Sequence, residues 1–324
     1  MPQTQIFDVF NGDADGICAL HQLRLAQPAN STLITGVKRD IALLRQVPPQ
    51  VGIQINVFDI SLDANIDALQ ALLDHGASVS YFDHHAASKQ PIHPALRSHI
   101  DEAPDVCSSL LVDRYLNGAF RPWAIAAAFG DNLNGPASAL AQTGGLSAAE
   151  TAQLQELGTL LNYNAYGETV SDLAISPTAL YQAIKPYASP FDFIEHAAEF
   201  RLLRDNYAAD NARLGQLQPL QQQPHAAVYL LPPEKWARRI SGILANRLVS
   251  ARPQQAFAIL NLDSAGDYLI SVRAPKGGSV GAVGLCSQYP SGGGRFAAGG
   301  ISHLPAEQRD DFIQRFFAYF APAG

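Results

Sequence analysis

The sequence contains few cysteines, and their spacing excludes two kinds of architecture. Three cysteines, Cys18, Cys107 and Cys286, stand among 324 residues, and no two of them form a Cys-x-x-Cys pair. A disulfide framework and a structural zinc site both need closely patterned cysteines, so neither is predicted. We expect each cysteine to be a small residue of the core.

Long apolar runs are also missing. No uninterrupted apolar stretch approaches the ~18 residues that a membrane-spanning helix needs, and the first residues show no basic segment followed by an apolar one. We therefore expect a soluble, cytoplasmic protein that has no membrane partner.

Positive charge is scarce overall and concentrated in one segment. The net charge of −7 argues against a protein that coats long duplex nucleic acid through a global positive field. Between Lys235 and Gly300, eight basic residues face two aspartates, about +6, which leaves about −13 for the remainder. This asymmetry favours an anionic ligand, although four of the arginines equally fit one solvated helix face: Arg238, Arg239, Arg247 and Arg252.

The apolar content of 47% over this length is enough for two medium cores, so we expect two domains. Short runs rich in Ile, Val and Phe alternate with helical patterns, which predicts an α/β fold with a parallel, doubly wound sheet in the N-terminal domain. The predicted strands are 6–10, 33–37, 55–60 and 79–82, with helices at 16–25 and 64–75 and mostly helical structure from 105 to 187.

The remaining third predicts a smaller α/β domain after a linker. We expect an N-terminal catalytic domain at 1–190, a linker helix at 191–224 and a C-terminal domain at 225–324. The closing helix, 306–320, has more aromatic surface than a small domain easily buries, which favours a homodimer. The aromatic residues are Phe312, Phe316, Phe317, Tyr319 and Phe320.

Aspartates and histidines recur where the predicted strands end. Asp13 and Asp15 follow the first strand, Asp59 ends the third, Asp83-His84-His85 follows the fourth, and Asp131 follows an apolar helix. Because a parallel sheet places its ligand site beyond the carboxyl ends of its strands, we expect these residues to converge on one rim. Carboxylate and imidazole ligands suit Mn²⁺ or Mg²⁺ better than a thiophilic ion.

These motifs, in this order, resemble the DHH phosphoesterase family. The matching segments are Asn11-Gly12-Asp13-Ala14-Asp15-Gly16, the lone Asp59, Asp83-His84-His85 and Asp131. Further along, Gly292-Gly293-Gly294-Arg295-Phe296-Ala297-Ala298-Gly299 resembles the glycine-rich signature of the associated substrate-binding domain of that family. The resemblance covers essentially the whole chain. Within the family, the chain resembles the oligoribonuclease and nucleotide phosphodiesterase branch.

The resemblance implies a centre with two divalent ions, Mn²⁺ or Mg²⁺, ~4 Å apart. One ion would take Asp13 and Asp59, and the other would take Asp15, Asp59, His84 and Asp131. A metal-bound hydroxide, its pKa lowered by the ions, would attack phosphorus. No protein nucleophile is needed in this scheme.

The resemblance also implies catalytic roles for Asp59, Asp83 and His85. Asp83 would orient a histidine rather than touch metal, as is usual for the partner of a ligating imidazole. His85 would face the substrate phosphate as a hydrogen-bond donor or general acid, or else be a buried histidine bonded to the backbone.

Two positions depart from the family pattern. Asn11 stands where the first motif usually has histidine, and an amide oxygen is a weaker ligand, so one metal would bind loosely or only with substrate, and activity would be low or lost. Asn11 stays a candidate ligand, whereas we expect His21 on the following helix to be packed or solvated. Arg295 stands where the glycine-rich signature usually has histidine, and offers either a bidentate fork for phosphate or a flat cation that stacks on a base.

We therefore expect a metal-dependent phosphoesterase that hydrolyses small nucleotides: short 5′-phosphorylated oligonucleotides, adenosine bisphosphate, or linear or cyclic dinucleotides. Two alternatives stay open. One is a regulatory nucleotide-binding protein whose catalysis is weakened at Asn11, and the other is a single-strand exonuclease with Tyr289 and Phe296 as stacking platforms. The expected substrate-binding residues are Arg273, Lys276, Gly292, Gly293, Gly294 and Arg295.

Overall fold

Buried β-branched and aromatic residues build the sheet in the first part of the chain. In the computed structural model, which describes residues 4–322, five parallel strands lie in the order β2-β1-β3-β4-β5. This order creates a switch point between β1 and β3, from which successive connections leave in opposite directions. The strands are β1 (Ile6–Phe10), β2 (Thr32–Thr35), β3 (Gln54–Phe58), β4 (Ser78–Asp83) and β5 (Leu96–Ile100).

Helices cover this sheet and continue the chain beyond it. The alternation of strand and helix is the predicted α/β class, which the structure confirms. The helices are α1 (Ala14–Ala26), α2 (Leu62–Asp74), α3 (Ser108–Tyr115), α4 (Arg121–Gly130), α5 (Asn134–Thr143), α6 (Ala148–Tyr163), α7 (Pro177–Ile184), α8 (Pro190–His196) and α9 (Ala198–Leu214), with 3₁₀ turns at Leu44–Gln46 and Val170–Asp172.

The core of the sheet follows the period of two that strands impose. Val9, Val57 and Tyr81 share one buried cluster with Leu62 and Leu69 of α2. The adjacent positions at the strand ends, Phe10, Phe58 and Phe82, are also fully buried and face the other way. Burial on both faces fixes the register, because a slip of one residue would exchange the two sets.

The segment predicted as one linker helix at 191–224 has a different structure. Ala197 adopts an extended backbone (φ −74°, ψ 131°) and separates α8 from α9. Phe193 and Phe200 are fully buried, so the apolar stripe of this segment belongs to a core. The chain divides into two compact units within α9, between Asn206 and Tyr207.

The second unit is built on a mixed sheet of six strands in the order β10-β11-β9-β8-β7-β6. β7 and β8 are parallel and all other neighbours are antiparallel. The strands are β6 (Gln221–Gln223), β7 (Ala226–Leu231), β8 (Ala256–Leu262), β9 (Tyr268–Arg273), β10 (Gly292–Gly294) and β11 (Ala298–Leu304), and the helices are α10 (Lys235–Ala251), α11 (Ala282–Cys286) and α12 (Arg309–Tyr319), with a 3₁₀ turn at Ala306–Gln308.

The aromatic residues of α12 pack inside the second unit. Phe312 and Phe316 are fully buried, Phe317 and Phe320 are nearly so, and all four join the cluster formed with β7, β8 and β9. Tyr319 donates a hydrogen bond to the carbonyl oxygen of Gly281. These rings are therefore core, and they do not supply the aromatic surface from which the homodimer was predicted.

Two further observations concern the cysteines and the membrane-spanning potential of the helices. Cys18, Cys107 and Cys286 are buried and unpaired. Among residues 4–322, no helix combines the length and the apolar character needed to span a bilayer.

Candidate metal centre

The candidate site lies at the switch point between β1 and β3. The sheet hydrogen bonding continues one residue past each strand, because the Asn11 amide donates to the Phe58 carbonyl oxygen at 3.1 Å and the Asp59 amide donates to that of Phe82 at 3.0 Å. Chain segments leaving neighbouring parallel strands are thus held side by side. The structure places the side chains of Asp13, Asp15, Asp59, His84, His85 and Asp131 here, and we call this set the acidic rim.

Asp13 opens α1. Its Oδ1 accepts hydrogen bonds from the amides of Asp15 at 3.0 Å and Gly16 at 3.1 Å, which satisfies two donors of the first helical turn. The second oxygen, Oδ2, pairs with the ammonium group of Lys38. Burial tends to raise the pKa of Asp13, but the charge and hydrogen bonds of Lys38 outweigh it and lower that pKa.

Asp15 is held by the start of another helix. The amides of Ser108 and Ser109, the first residues of α3, each donate to one of its carboxylate oxygens at 2.7 Å. A helix N-terminus favours negative charge, so α3 orients the side chain. Burial, together with the charges of Asp131 and Asp13, nevertheless raises the pKa of Asp15, while His84 lowers it.

Asp59 has a left-handed backbone, with φ of 57°. This conformation is uncommon outside glycine, although Asp and Asn adopt it most readily, and such strain is concentrated at functional sites. Burial is the largest cause that raises the pKa of Asp59 well above its usual range, followed by the charges of Asp13, Asp15 and Asp131. A carboxyl group in this state is one that a bound cation would ionise.

The Asp83-His84-His85 segment turns sharply after β4. Asp83 Oδ1 accepts from the amides of His84 at 2.9 Å and His85 at 3.3 Å, and from the His85 ring Nδ1 at 2.7 Å. Burial opposes a charge on His85, but this hydrogen bond and the charge of Asp83 raise its pKa overall. Asp83 therefore orients His85, while His84 Nε2 lies 3.4 Å from Asp59 Oδ1.

Asp131 reaches the rim because three helices pack very closely. A Cβ on Gly158 of α6 would lie 1.9 Å from the Ala126 carbonyl oxygen, and a Cβ on Gly130 would lie 2.4 Å from the Ala14 side-chain Cβ. Only glycine allows this approach. Asp131 follows Gly130 at the end of α4, and its Oδ2 lies 3.6 Å from His84 Nε2.

The donor set fits a hard divalent ion. Asp15, His84 and Asp131 can each offer one ligand atom within 4.8 Å of the other two, and so can Asp59, His84 and His85. Oxygen with imidazole nitrogen is the ligand chemistry of Mn²⁺ and Mg²⁺. Asp83 Oδ2, buried and without a hydrogen-bond partner among the described residues, is a further polar atom that a cation or water would satisfy.

A lysine that the sequence analysis did not consider enters the rim from the segment after β2. Lys38 Nζ pairs with Asp13 Oδ2, lies 3.7 Å from Asp131 Oδ1 and donates to Asn162 Oδ1 at 3.0 Å. Burial opposes its charge, but the charges around it, Asp13 first, raise the pKa of Lys38 well above its usual range. Asp13 accordingly pairs with an ammonium group and belongs to neither three-residue group.

Asn11, the candidate ligand at the altered motif position, is engaged with backbone. Its Nδ2 donates to the Lys38 carbonyl oxygen at 3.1 Å, and its Oδ1 accepts from the Asp13 amide at 3.3 Å. His21 is buried, with Nε2 2.8 Å from the Tyr187 carbonyl oxygen and its ring edge-on to Trp123. His21 is therefore packed in the core, and the Asn11 side chain is hydrogen-bonded to the backbone at both its nitrogen and its oxygen.

In the second unit, the glycine-rich segment forms the edge of the sheet. A Cβ on Gly292 would lie 1.8 Å from the Cys286 carbonyl oxygen, and Gly294 has φ of 136°, so packing and backbone geometry explain both glycines. Gly293 faces open space. A shallow groove of about 430 Å³, which we call the glycine groove, is lined by Ser271, Ser291, Gly292, Gly293, Gly300 and Ser302 among others.

The predicted cations gather at one end of this sheet. Arg273 ends β9 opposite Ala298, and the Arg295 amide donates to the Ala298 carbonyl oxygen at 2.8 Å in the turn between β10 and β11. Arg295 and Lys276 are exposed and Arg273 is half-buried. Arginines 238, 239 and 247 lie on α10, where Arg239 forms a buried ion pair with Asp210.

The two candidate stacking rings differ. Tyr289 is buried, and its ring packs edge-on against Phe312 at 5.8 Å between centroids, so it belongs to the core. Phe296, beside Arg295, is 53% exposed. The structure leaves Phe296 as the ring available to a base.

No protein-family model and no curated protein sequence matches this chain. Solved structures do. It superposes on a manganese-bound exonuclease RecJ with a TM-score of 0.66 and 18% identity over 99% of this chain and 91% of that one. For the RecJ of Thermus thermophilus, also with Mn²⁺, the score and identity are the same, and the chain spans about half of that protein, 52%.

A third structure, the pGpG-specific phosphodiesterase PggH from Vibrio cholerae, matches with a TM-score of 0.55 and 13% identity over 99% of both chains. The chain has the fold of the DHH phosphoesterases. Agreement over nearly the whole length covers both units, so the DHH fold accounts for the parallel sheet and for the mixed one.

The rim of this DHH fold contains residues that the motif search missed. Ser108 and Ser109 orient Asp15 through backbone amides, which no side-chain pattern reveals. Lys38 could have been found, because it follows a predicted strand adjacent to β1 and must therefore emerge at the same rim. Asn162, at the end of α6, gave no signal.

Proposed function

We propose that the chain is a divalent-metal-dependent phosphoesterase that hydrolyses small nucleotides. The observation that carries this proposal is the convergence of Asp15, Asp59, His84 and Asp131 at the switch point of the sheet, in two groups of potential ligands that share His84. The raised pKa of buried Asp59 supports it, because three neighbouring carboxylates create a place that favours a cation.

Within this proposal, Asp15, Asp59, His84 and Asp131 would hold the metal, Mn²⁺ or Mg²⁺. A divalent ion there would polarise the phosphoryl oxygens and acidify water. The chain supplies the geometry: α3 fixes Asp15 through two amides, and the left-handed backbone fixes Asp59. Rigid ligands reduce the reorganisation needed during reaction.

His85 is the proposed proton donor. Its Nδ1 is hydrogen-bonded to Asp83 Oδ1 at 2.7 Å, which leaves Nε2 as the nitrogen to donate to a phosphate or leaving oxygen. Its raised pKa keeps more of the charged form near neutral pH, and its side chain is 35% exposed, so a substrate can reach it. Asp83 acts through His85 as a positioning residue.

The second unit is the proposed substrate-binding part. Arg273, Lys276 and Arg295 would bind phosphate, because all three are placed at one end of the sheet. Phe296 would stack on a base, and the glycine groove would accept backbone or sugar without side-chain obstruction. A net charge of −7, together with Phe296 as the one exposed large aromatic ring among the described residues of the second unit, favours a short ligand over a long single strand.

The structural relatives point to two substrate lengths. RecJ is an exonuclease and PggH is a pGpG-specific phosphodiesterase. The proposal prefers the dinucleotide scale, and the single-strand exonuclease is the second candidate. We propose the cytoplasm as the compartment, where three buried, unpaired cysteines stay reduced.

The test is product release from a panel of adenosine bisphosphate, linear and cyclic dinucleotides, and 5′-phosphorylated strands of two to ten nucleotides. Each is incubated with Mn²⁺, Mg²⁺ or chelator. We expect metal-dependent release of mononucleotide or phosphate from the shortest members. Faster turnover of the longest strands, with strongly salt-dependent binding, would favour the exonuclease.

The variant Asp59→Asn keeps the left-handed backbone, because Asn tolerates it as well as Asp does, and removes the carboxylate. Exposed Asp105→Asn is the matched control. We expect loss of hydrolysis in the first variant alone. Full activity of Asp59→Asn would contradict the proposed centre, and tight nucleotide binding without turnover in any ion would favour the regulatory alternative.

A further inference from the structure

We propose that the Lys38 ammonium group takes the place of one of the two metal ions, so that the chain binds a single divalent ion. The inference rests on the proposed metal-dependent function and specifies its metal content. It concerns the half of the acidic rim around Asp13, where the resemblance implied an ion held by Asp13 and Asp59.

Lys38 has the contacts expected of a cation at that place. Its Nζ pairs with Asp13 Oδ2, lies 3.7 Å from Asp131 Oδ1 and donates to Asn162 Oδ1 at 3.0 Å. The ring of Tyr166 lies beneath it, 5.8 Å from Nζ to the centroid. Two carboxylates, an amide oxygen and an aromatic face thus surround one ammonium group.

The backbone of Lys38 is fixed from both sides. Its amide donates to the Ala165 carbonyl oxygen at 2.9 Å, and its carbonyl oxygen accepts from Asn11 Nδ2 at 3.1 Å. The loop also packs tightly on the first motif, since a Cβ on Gly12 would lie 2.1 Å from the Gly36 carbonyl oxygen. Because the backbone on both sides of Lys38 is fixed, the fold directs its side chain towards Asp13, and only the side-chain rotamers have to be ordered.

The unusual Asn11 and the unexpected Lys38 are therefore one structural change. Histidine at position 11 would supply a metal ligand next to Asp13. Asparagine instead uses its amide to hold the Lys38 backbone and the Asp13 amide. Asn11 is thus both the position at which the histidine ligand is missing and the residue that holds the Lys38 backbone in place.

The ligands that remain suit one ion around His84. Both three-residue groups, Asp15-His84-Asp131 and Asp59-His84-His85, contain His84, so they describe one neighbourhood. His84 Nε2 lies 3.4 Å from Asp59 Oδ1 and 3.6 Å from Asp131 Oδ2. Lys38 would contribute a point charge and hydrogen-bond donors to substrate, where a second ion would contribute Lewis acidity.

The first experiment counts Mn²⁺ bound to the full-length wild type, by calorimetric titration and by metal analysis after gel filtration. Electron paramagnetic resonance provides an independent readout, because one isolated Mn²⁺ and an exchange-coupled pair give different spectra. We expect one ion per chain and an uncoupled spectrum. Two ions per chain would overturn the inference and leave the proposed function intact.

The second experiment restores the missing ligand. The double variant Asn11→His/Lys38→Met removes the ammonium group at similar side-chain length and supplies an imidazole beside Asp13. We expect it to bind two Mn²⁺ with a coupled spectrum, whereas Lys38→Arg, which keeps the positive charge, should bind one. The control Lys89→Met removes an exposed lysine and should behave as wild type.

The outcomes separate the two proposals. No Mn²⁺ bound to wild type, with the fold intact by circular dichroism, would overturn both. One ion in wild type and in a folded double variant would overturn the role of Lys38 and leave the metal-dependent function. If the double variant does not fold, the wild-type count and Lys38→Arg still decide, because two ions in either would contradict replacement by the lysine.

Discussion

The charged residues of the acidic rim in the first unit and the predicted phosphate-binding cations of the second unit differ in burial. Asp13, Asp15 and Asp59 are almost completely buried, and each is already held by an amide, a hydroxyl or a lysine. In the second unit, Lys276 and Arg295 are exposed. Folding orders the charged side chains of the acidic rim, whereas the exposed cations of the second unit would be ordered only by a bound ligand.

Because of this difference in burial, substitutions in the two regions should change different properties of the protein. Buried charges at fixed positions affect metal binding, the rate of the chemical step and stability, because removal leaves uncompensated partners. Exposed cations on a preformed sheet affect substrate affinity and little else. Substitutions in the acidic rim should therefore reduce activity more than substitutions of the exposed cations.

The largest effect should come from His84→Ala. His84 lies within 3.6 Å of both Asp59 and Asp131 oxygens, and loss of even an outer partner of a metal ligand typically costs 10- to 100-fold. We expect kcat/KM with Mn²⁺ to fall at least about 100-fold. The control is His196→Ala, whose side chain is exposed. Equal activity of both variants would contradict a role of His84 in metal binding.

The next effect is on stability and separates the buried His21 from the exposed His303. Burial, opposed only by the bond to the Tyr187 carbonyl, lowers the pKa of His21 to about 4. The unfolded chain therefore binds a proton that the folded chain does not, and stability is lost as pH falls from about 6.5 towards 4. The shift corresponds to about 3 kcal/mol.

Urea unfolding at pH 7 and pH 4.5 measures this. We expect wild type to lose more free energy of unfolding than His21→Gln over that interval. His303→Gln in the second unit should lose as much as wild type, because His303 is 56% exposed. Parallel pH dependence of wild type and His21→Gln would show that burial of His21 does not control acid stability.

A smaller effect distinguishes two neighbouring glycines. Gly292→Ala would bring a Cβ within 1.8 Å of the Cys286 carbonyl oxygen and should destabilise the second unit by about 2 kcal/mol. Gly293→Ala meets open space, so its melting temperature should equal that of wild type. A raised KM in Gly293→Ala alone would indicate that the ligand binds in the glycine groove. A lowered melting temperature of Gly293→Ala would contradict the packing argument.

The smallest effect is expected for Arg295→Ala. A charge-assisted hydrogen bond to phosphate contributes about 1.5 kcal/mol, which is roughly 10-fold in KM. We expect KM to rise while kcat and the melting temperature stay unchanged. The control, Arg315→Ala on α12, removes an arginine that pairs with Asp311. A fall in kcat without a change in KM would move Arg295 to the chemical step.

The sequence predicted the first sheet well where burial on both faces demanded it. β1 was predicted at its observed bounds, because a mostly apolar run bounded by turn residues leaves little choice. The order of the acidic motifs on strand ends placed the rim correctly, since strand direction alone determines which edge they reach.

What the sequence did not predict depends on pairing and packing. β5, Leu-Arg-Ser-His-Ile, is a partly exposed edge strand without an apolar run, and β10 is three glycines that pair with β11. Their strand character comes from a neighbour, not from side chains. Lys38 was overlooked because a lysine is not a metal ligand, and its significance appears only once Asp13 lies beside it.

The crossing of α4, α6 and the start of α1 at Gly130 and Gly158 has a consequence for judging other chains of this fold. A single methyl group at either position would push α4 outward and carry Asp131 away from His84 while every acidic residue remained in the sequence. The absence of side chains at Gly130 and Gly158 thus determines how closely Asp131 approaches His84. Relatives that keep the aspartates but not these glycines should be regarded as altered enzymes, and the glycines as part of the motif.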